Sequence, residues 1–153
     1  MAKPLLSIGM IVKNEIRCIE KCLQALQPLR DAISCELVIA DTGSDDGTRE
    51  VAERYADILF DFTWVNDFSA ARNAVMDRCS GLWHFTIDAD EYLDPDIDEL
   101  VRFLKAPAKK NVDFASVIAR NYLTTDMRST EYTDFTSLRL ARMNGVRYTG
   151  AIH

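Results

Sequence analysis

Asp88-Ala89-Asp90 sets two carboxylates on alternate residues directly behind the apolar run Leu82-Trp83-His84-Phe85-Thr86-Ile87. In an extended segment, residues i and i+2 point to the same side, about 6–7 Å apart. Two hard oxygen ligands at that spacing hold Mg²⁺ or Mn²⁺, one carboxylate directly and the other through water or a nucleotide. Phosphate oxygens of a substrate would complete the shell. A solvated acidic turn has the same three residues, but the position at the end of an apolar strand weighs toward chemistry. Asp67-Phe68-Ser69-Ala70-Ala71-Arg72-Asn73 is the second unusual segment. Its small residues permit close approach, and Arg72 on a first helical turn suits a nucleotide phosphate or base. The competing reading pairs Arg72 with a surface acid.

The elements that must position these groups alternate. Leu5–Val12, Cys35–Ala40, Asp57–Phe62 and Leu82–Ile87 read as short buried strands. Between them Ile16, Ile19, Leu23 and Leu26 recur at helical spacing up to Pro28, Ser44 caps a helix carrying Val51, Ala52 and Tyr55, and Ser69–Cys79 is helical up to Ser80-Gly81. Asp94 and Pro95 open a further helix as cap and first-turn residue. Strand and helix in alternation make a parallel sheet with helices on both faces. Val112–Arg120, Thr136–Met143 and Val146–Ile152 read as strands, the last two joined by an Asn144-Gly145 hairpin, with a polar surface loop over Thr124–Thr133. The fold class is therefore α/β, a Rossmann-like, mostly parallel sheet with an antiparallel C-terminal part. In such sheets ligands sit beyond the carboxyl ends of the strands. Lys13-Asn14-Glu15, Asp41-Thr42-Gly43 and Asp88-Ala89-Asp90 occupy those ends. Carboxylates converging on one edge repel one another unless a cation or hydrogen-bond donors stand among them.

Composition bounds the remaining choices. The 153 residues are 48% apolar and 27% charged, with a formal net charge of −6, which fits one soluble globular domain. That balance argues against a broad nucleic-acid face, since a phosphate backbone demands clustered cations. The longest apolar stretch, Leu5–Val12, is far short of the roughly 20 residues of a membrane span, and no signal-peptide pattern precedes it, so the expected location is cytoplasmic. Cys18, Cys22, Cys35 and Cys79 read as half-buried thiols, neither a disulfide framework nor a zinc site.

Taken together, GMIVKNE (9–15), VIADTGSDDGT (38–48), WVNDFSAARN (64–73) and DADEYL (88–93) resemble glycosyltransferase family 2, and more narrowly bacterial nucleotide-sugar transferases with a Val-Lys-Asn-Glu first motif. Each motif is weak singly; their order and spacing over residues 5–93 are specific. The resemblance implies a GT-A fold, a nucleotide-diphosphate sugar donor of the uridine type, a divalent metal (Mn²⁺ or Mg²⁺) and inverting transfer to an unknown acceptor. By the same resemblance Asn14 and Glu15 hold base and ribose, Asp41 meets the base edge, and Arg72 contacts the donor. Asp88 lies near ribose and metal, Asp90 is the direct metal ligand, and His153 lies near metal and diphosphate. The tail RLARMNGVRYTGAIH (139–153) is similar to the segment before the family's acceptor site.

Family members carry an acceptor-binding portion beyond this histidine, often with the catalytic base. The expectation is therefore one domain over residues 1–153, truncated on its acceptor side, that binds donor but transfers sugar poorly or not at all. The base is unassigned, and Glu91 is a weak candidate that would serve equally as a cap for its turn. Non-catalytic nucleotide-sugar binding is the alternative from another class. A nucleotidyltransferase is disfavoured because no Gly-rich phosphate loop follows the first strand, and a dehydrogenase or P-loop enzyme lacks its motif. Apolar edge surface on the last strand would invite homodimerisation.

Overall fold

A computed structural model of the chain describes residues 2–107, 112–126 and 128–151. The apolar run at the start forms β1 (Leu6–Val12), whose Leu6, Ile8, Met10 and Val12 are each 1% exposed or less. They point into the larger of two apolar layers, where full burial of such a side chain is worth about 1.5–3 kcal/mol. That layer is filled by α1 (Ile19–Ala25), α2 (Gln27–Ala32), α3 (Thr48–Glu53) and α5 (Asp98–Lys105). On the opposite face α4 (Phe68–Met76) packs Val75 against Val38 and Ala40 of β2 (Cys35–Asp41). β3 (Ile58–Asp61), β4 (Trp83–Thr86), β5 (Phe114–Tyr122) and β6 (Tyr132–Arg142) complete one six-stranded sheet of order β3-β2-β1-β4-β6-β5. The first four strands are parallel, and β6 then pairs antiparallel with both β4 and β5. Strand order reverses between β1 and β4, so the carboxyl ends of those two strands flank the crevice where such sheets take ligands. Among the described residues no helix is long and apolar enough to cross a membrane.

Several local expectations change. Pro28 does not end the sequence in helix; it sits in the first turn of α2, where a missing N–H costs nothing. Ser44 is not the cap of α3. Gly47, at φ 97°, holds that position, and Asp46 accepts from the Thr48 N–H at 3.0 Å. Asp94 accepts from the Asp96 N–H and closes a bend, while α5 starts only at Asp98. Phe114–Tyr122 and Tyr132–Arg142 make the hairpin, and described residues 146–151 are not a strand. The last segment lies instead on α4: Asn73 donates to the Tyr148 carbonyl at 3.0 Å and accepts from the Tyr148 N–H at 2.9 Å. Ser69 donates to the Gly150 carbonyl, and the Phe68 N–H at the start of α4 donates to the Ala151 carbonyl at 3.0 Å. Those bonds give this segment's backbone the partners that a neighbouring strand would have supplied. The β5–β6 hairpin carries exposed apolar side chains at Phe114, Ile118 and Leu138.

Candidate functional site

The loops after β1 and β2 are stitched together. Asn14, at φ 54°, donates its N–H to Ser44 Oγ at 3.0 Å and accepts from the Asp45 N–H at 2.9 Å. The Glu15 N–H donates to Thr48 Oγ1 at 2.7 Å, and the Ile16 N–H to Asp46 at 3.2 Å. Asp41 ends β2 almost wholly buried, its Oδ1 accepting from the Gly43 and Ser44 N–H groups at 2.8 Å each. Its Oδ2 is buried without a partner among the described residues, an acceptor in want of a donor.

The acid pair is not extended. Glu91 N–H donates to the Asp88 carbonyl at 3.0 Å, which makes residues 88–91 a β-turn with Asp at its first position, as such turns favour. The turn, rather than strand alternation, brings Asp88 and Asp90 to the same cleft. The Asp88 N–H donates back to Glu91 Oε2 at 2.9 Å, and Arg139 Nη2 donates to Glu91 Oε1 at 2.5 Å. Arg139 Nη1 also lies 3.7 Å from Asp88 Oδ2. Burial raises the Glu91 pKa above the ordinary carboxylate range, against the pull of the Asp88 N–H and Arg139. Cys22 donates to the Asp88 carbonyl at 3.6 Å, and burial pushes its thiol up to about 12, so it is a protonated packing group.

A cleft of about 330 Å³ opens at this point, within the range of small-ligand sites. Lys13, Glu15, Thr42, Trp64, Phe68, Arg72, Asp88 and Asp90 line it. Of the residues singled out from the sequence, Glu15, Arg72, Asp88 and Asp90 therefore meet in one place. Asn14 and Asp41 stand behind them, holding the loops; Glu91 is behind the turn, and His153 lies outside the described residues. Three contributors escaped the sequence reading. Trp64 and Phe68 form an edge-on pair, centroids 4.8 Å apart, as an apolar wall, and two aromatics four residues apart around the α4 cap Asp67 were the available signal. Arg139 comes from the far strand β6, and no local pattern announces it.

Asp88 and Asp90 offer a hard-oxygen pair facing an open cleft, which suits a divalent cation whose other ligands come from phosphate and water. Among the described residues no group of three or more His, Cys, Asp or Glu side chains forms a ready-made metal cage.

Behind the cleft, His84 is 2% exposed, with Nδ1 3.3 Å from Thr86 Oγ1 and Nε2 unpartnered among the described residues. Burial alone holds its pKa down, to about 4. An unfolded chain's histidine titrates near 6.5, so below that pH the unfolded state takes up a proton the folded state refuses. The stability due to neutral His84 is whole above pH 6.5 and is lost toward pH 4. Urea titrations should show about 2 kcal/mol of His84-linked loss between pH 7 and pH 5. His84→Asn should flatten that part of the dependence; an unchanged slope would assign it to carboxylates.

Residues 7–151 match the family model described as glycosyl transferase family 2. A lipopolysaccharide core biosynthesis glycosyltransferase of Rhizobium meliloti is 34% identical over 122 residues, covering 77% of this chain and 43% of its own. A prophage-derived glycosyltransferase of Bacillus subtilis is 28% identical, covering 98% of this chain and 34% of its own. The chain thus spans less than half the length of these curated relatives. Among solved structures, a Pyrobaculum calidifontis mannosyltransferase in complex with GDP-Man and Mn²⁺ superposes with a TM-score of 0.61 at 26% identity, over 74% of this chain and 35% of that one. Staphylococcus aureus TarS in complex with UDP gives 0.59 at 14% identity, over 93% and 47%, a likeness of fold alone. The sheet order, the crevice between β1 and β4, and a family match across nearly every described element agree on the GT-A architecture: the chain belongs to glycosyl transferase family 2.

Proposed function

We propose that this chain binds a nucleotide-diphosphate sugar together with Mn²⁺ or Mg²⁺, and that the protein it forms transfers the sugar with inversion to a hydroxyl or other nucleophilic acceptor. One observation carries the reading: a single cleft at the strand-order reversal gathers residues from all four motif segments. The base would lie over the β1 and β2 loops, where buried Asp41 Oδ2 offers an acceptor to a ring N–H. Trp64 and Phe68 offer an apolar wall for a flat ring or sugar face. Arg72, in the second turn of α4 rather than the first, faces the same cleft and suits a phosphate. Asp88 and Asp90 would hold the divalent ion, which when bound neutralises charge on the departing diphosphate. Attack by the acceptor opposite the leaving group would invert the anomeric centre, and the acceptor's proton calls for a base this reading leaves unassigned. The uridine preference rests on the family resemblance, and the 26% identical neighbour in complex with GDP-Man and Mn²⁺ supports a nucleotide-sugar donor.

Calorimetry with uridine diphosphate tests the reading. Affinity in Mn²⁺ should exceed that in chelator by at least about tenfold, and uridine diphosphate sugar should be hydrolysed slowly without acceptor. Equal affinity in both media would remove the metal, and no binding in either would remove the donor site. Asp41→Asn keeps an oxygen for the Gly43 and Ser44 N–H groups, so it should spare the melting temperature while weakening nucleotide binding about tenfold. Normal binding by Asp41→Asn would make Asp41 a loop residue only.

A further inference from the structure

We propose that Arg139 and Glu91 form a positioning pair that sets the shape and charge of the Asp88–Asp90 turn for its cation, so that Glu91 is not the catalytic base. The inference rests on the metal-dependent reading above and adds two residues to it.

In the β5–β6 ladder Ala115 pairs with Leu140 and Ser116 with Leu138, which leaves Arg139 as the extra residue of a β-bulge. Bulges re-aim a side chain and recur beside functional sites. Here the bulge falls one residue past the last β4–β6 pair, Phe85 with Leu140, level with the strand end that leads into the turn. Arg139 is 15% exposed, anchored by donation from Nε to Ser137 Oγ at 2.8 Å, with both terminal nitrogens turned to the acids. Both Glu91 oxygens are occupied, one by Arg139 and the other by the Asp88 N–H. A base must be aimed at the acceptor; each Glu91 oxygen is bonded within the turn or to Arg139, and Glu91 is not among the residues lining the cleft.

Asp88, Asp90 and Glu91 are three carboxylates on one turn, which would repel one another. Pairing Glu91 with Arg139 leaves Asp88 and Asp90 as the two acids of this turn that face the cleft. The pair at 2.5 Å is the tight one, and the 3.7 Å approach to Asp88 is loose enough for that carboxylate to turn to a cation. Outer partners of this kind typically cost about 10–100-fold in metal affinity when removed.

The test uses Arg139→Met, Arg139→Lys, Glu91→Gln and the Arg139→Met/Glu91→Gln double variant. The readouts are Mn²⁺ affinity in the presence of uridine diphosphate and amide hydrogen exchange of residues 88–91 in metal-free protein. Arg139→Met and Glu91→Gln should each weaken Mn²⁺ about tenfold and speed exchange of the Asp88 amide, with Arg139→Lys recovering part of the loss. The double variant should lose no more than the worse single one, as expected of residues acting as a unit. Additive losses, or wild-type Mn²⁺ affinity and exchange in either single variant, would overturn the pair. Loss of donor turnover in Glu91→Gln with Mn²⁺ affinity and exchange unchanged would restore Glu91 as base. If the wild-type chain binds no nucleotide with metal, the proposed function fails, and exchange at residues 88–91 still decides whether the pair holds the turn.

Discussion

Asp90→Asn is expected to lower donor turnover by about 10²–10³-fold, the loss typical when one group stabilising a developing charge is removed. Asp90 stands at the third position of the turn, exposed and facing the cleft, and its carboxylate takes no hydrogen bond or ion pair among the described residues. Nothing in the fold depends on its charge, so the melting temperature should stay within the small range of surface substitutions. A variant that folds normally, binds uridine diphosphate equally in Mn²⁺ and chelator, and barely turns over donor is the expected result. Asp88→Asn should lose less, because Asp88 also works through its backbone, which accepts from Glu91 and Cys22 and donates to Glu91. Full Mn²⁺ response in Asp90→Asn would move the cation elsewhere.

The second large effect is on the fold itself. A Cβ at Gly9 would stand 2.4 Å from His84 Nε2 and 2.9 Å from Val75 Cγ1, closer than atoms tolerate. Both neighbours are at most 2% exposed and have nowhere to retreat. Gly9 is thus the spot on β1 where α4 and the His84 ring close onto the sheet, and α4 carries Arg72 into the cleft. Gly9→Ala should cost about 3 kcal/mol and Gly9→Val about 4–5, at the upper end of overpacking penalties. For a chain of this size the latter corresponds to a melting temperature lower by about 10–15 °C. Gly9→Ala/His84→Ala should be more stable than the sum of its single changes predicts, because removing the ring relieves the nearer clash. Strict additivity in denaturant titrations would place the strain elsewhere. Nucleotide affinity of the Gly9→Ala variant should also fall, as α4 is pushed outward and Arg72 with it.

Much of the architecture is legible from local pattern because it is local in cause. Leu6–Val12 and Cys35–Asp41 are apolar runs that only a doubly covered strand accommodates, and they sit where expected. The motif loops fall at strand ends for the same reason, which brings Glu15, Arg72, Asp88 and Asp90 into one cleft. Misreadings arose where one residue type serves two local structures. Pro28 stops one helix or starts another with equal ease, and Asn144-Gly145 turns a chain whether or not a strand follows. Residues 146–151 are not a strand because Asn73, Ser69 and the Phe68 N–H satisfy their backbone from a helix about 75 positions earlier.

By itself, then, the sequence determined the alternating strands and helices, the parallel sheet and the acidic loops at its carboxyl edge, since periodicity and turn chemistry act over a few neighbours. What needed the tertiary structure is that Asn14 ties the β1 loop to the β2 loop, that residues 146–151 dock on α4, and that Arg139 meets Glu91. Those outcomes depend on a bulge, a strand order and a helix-to-tail docking that join residues tens of positions apart, and such contacts leave no mark on the spacing of neighbours along the chain.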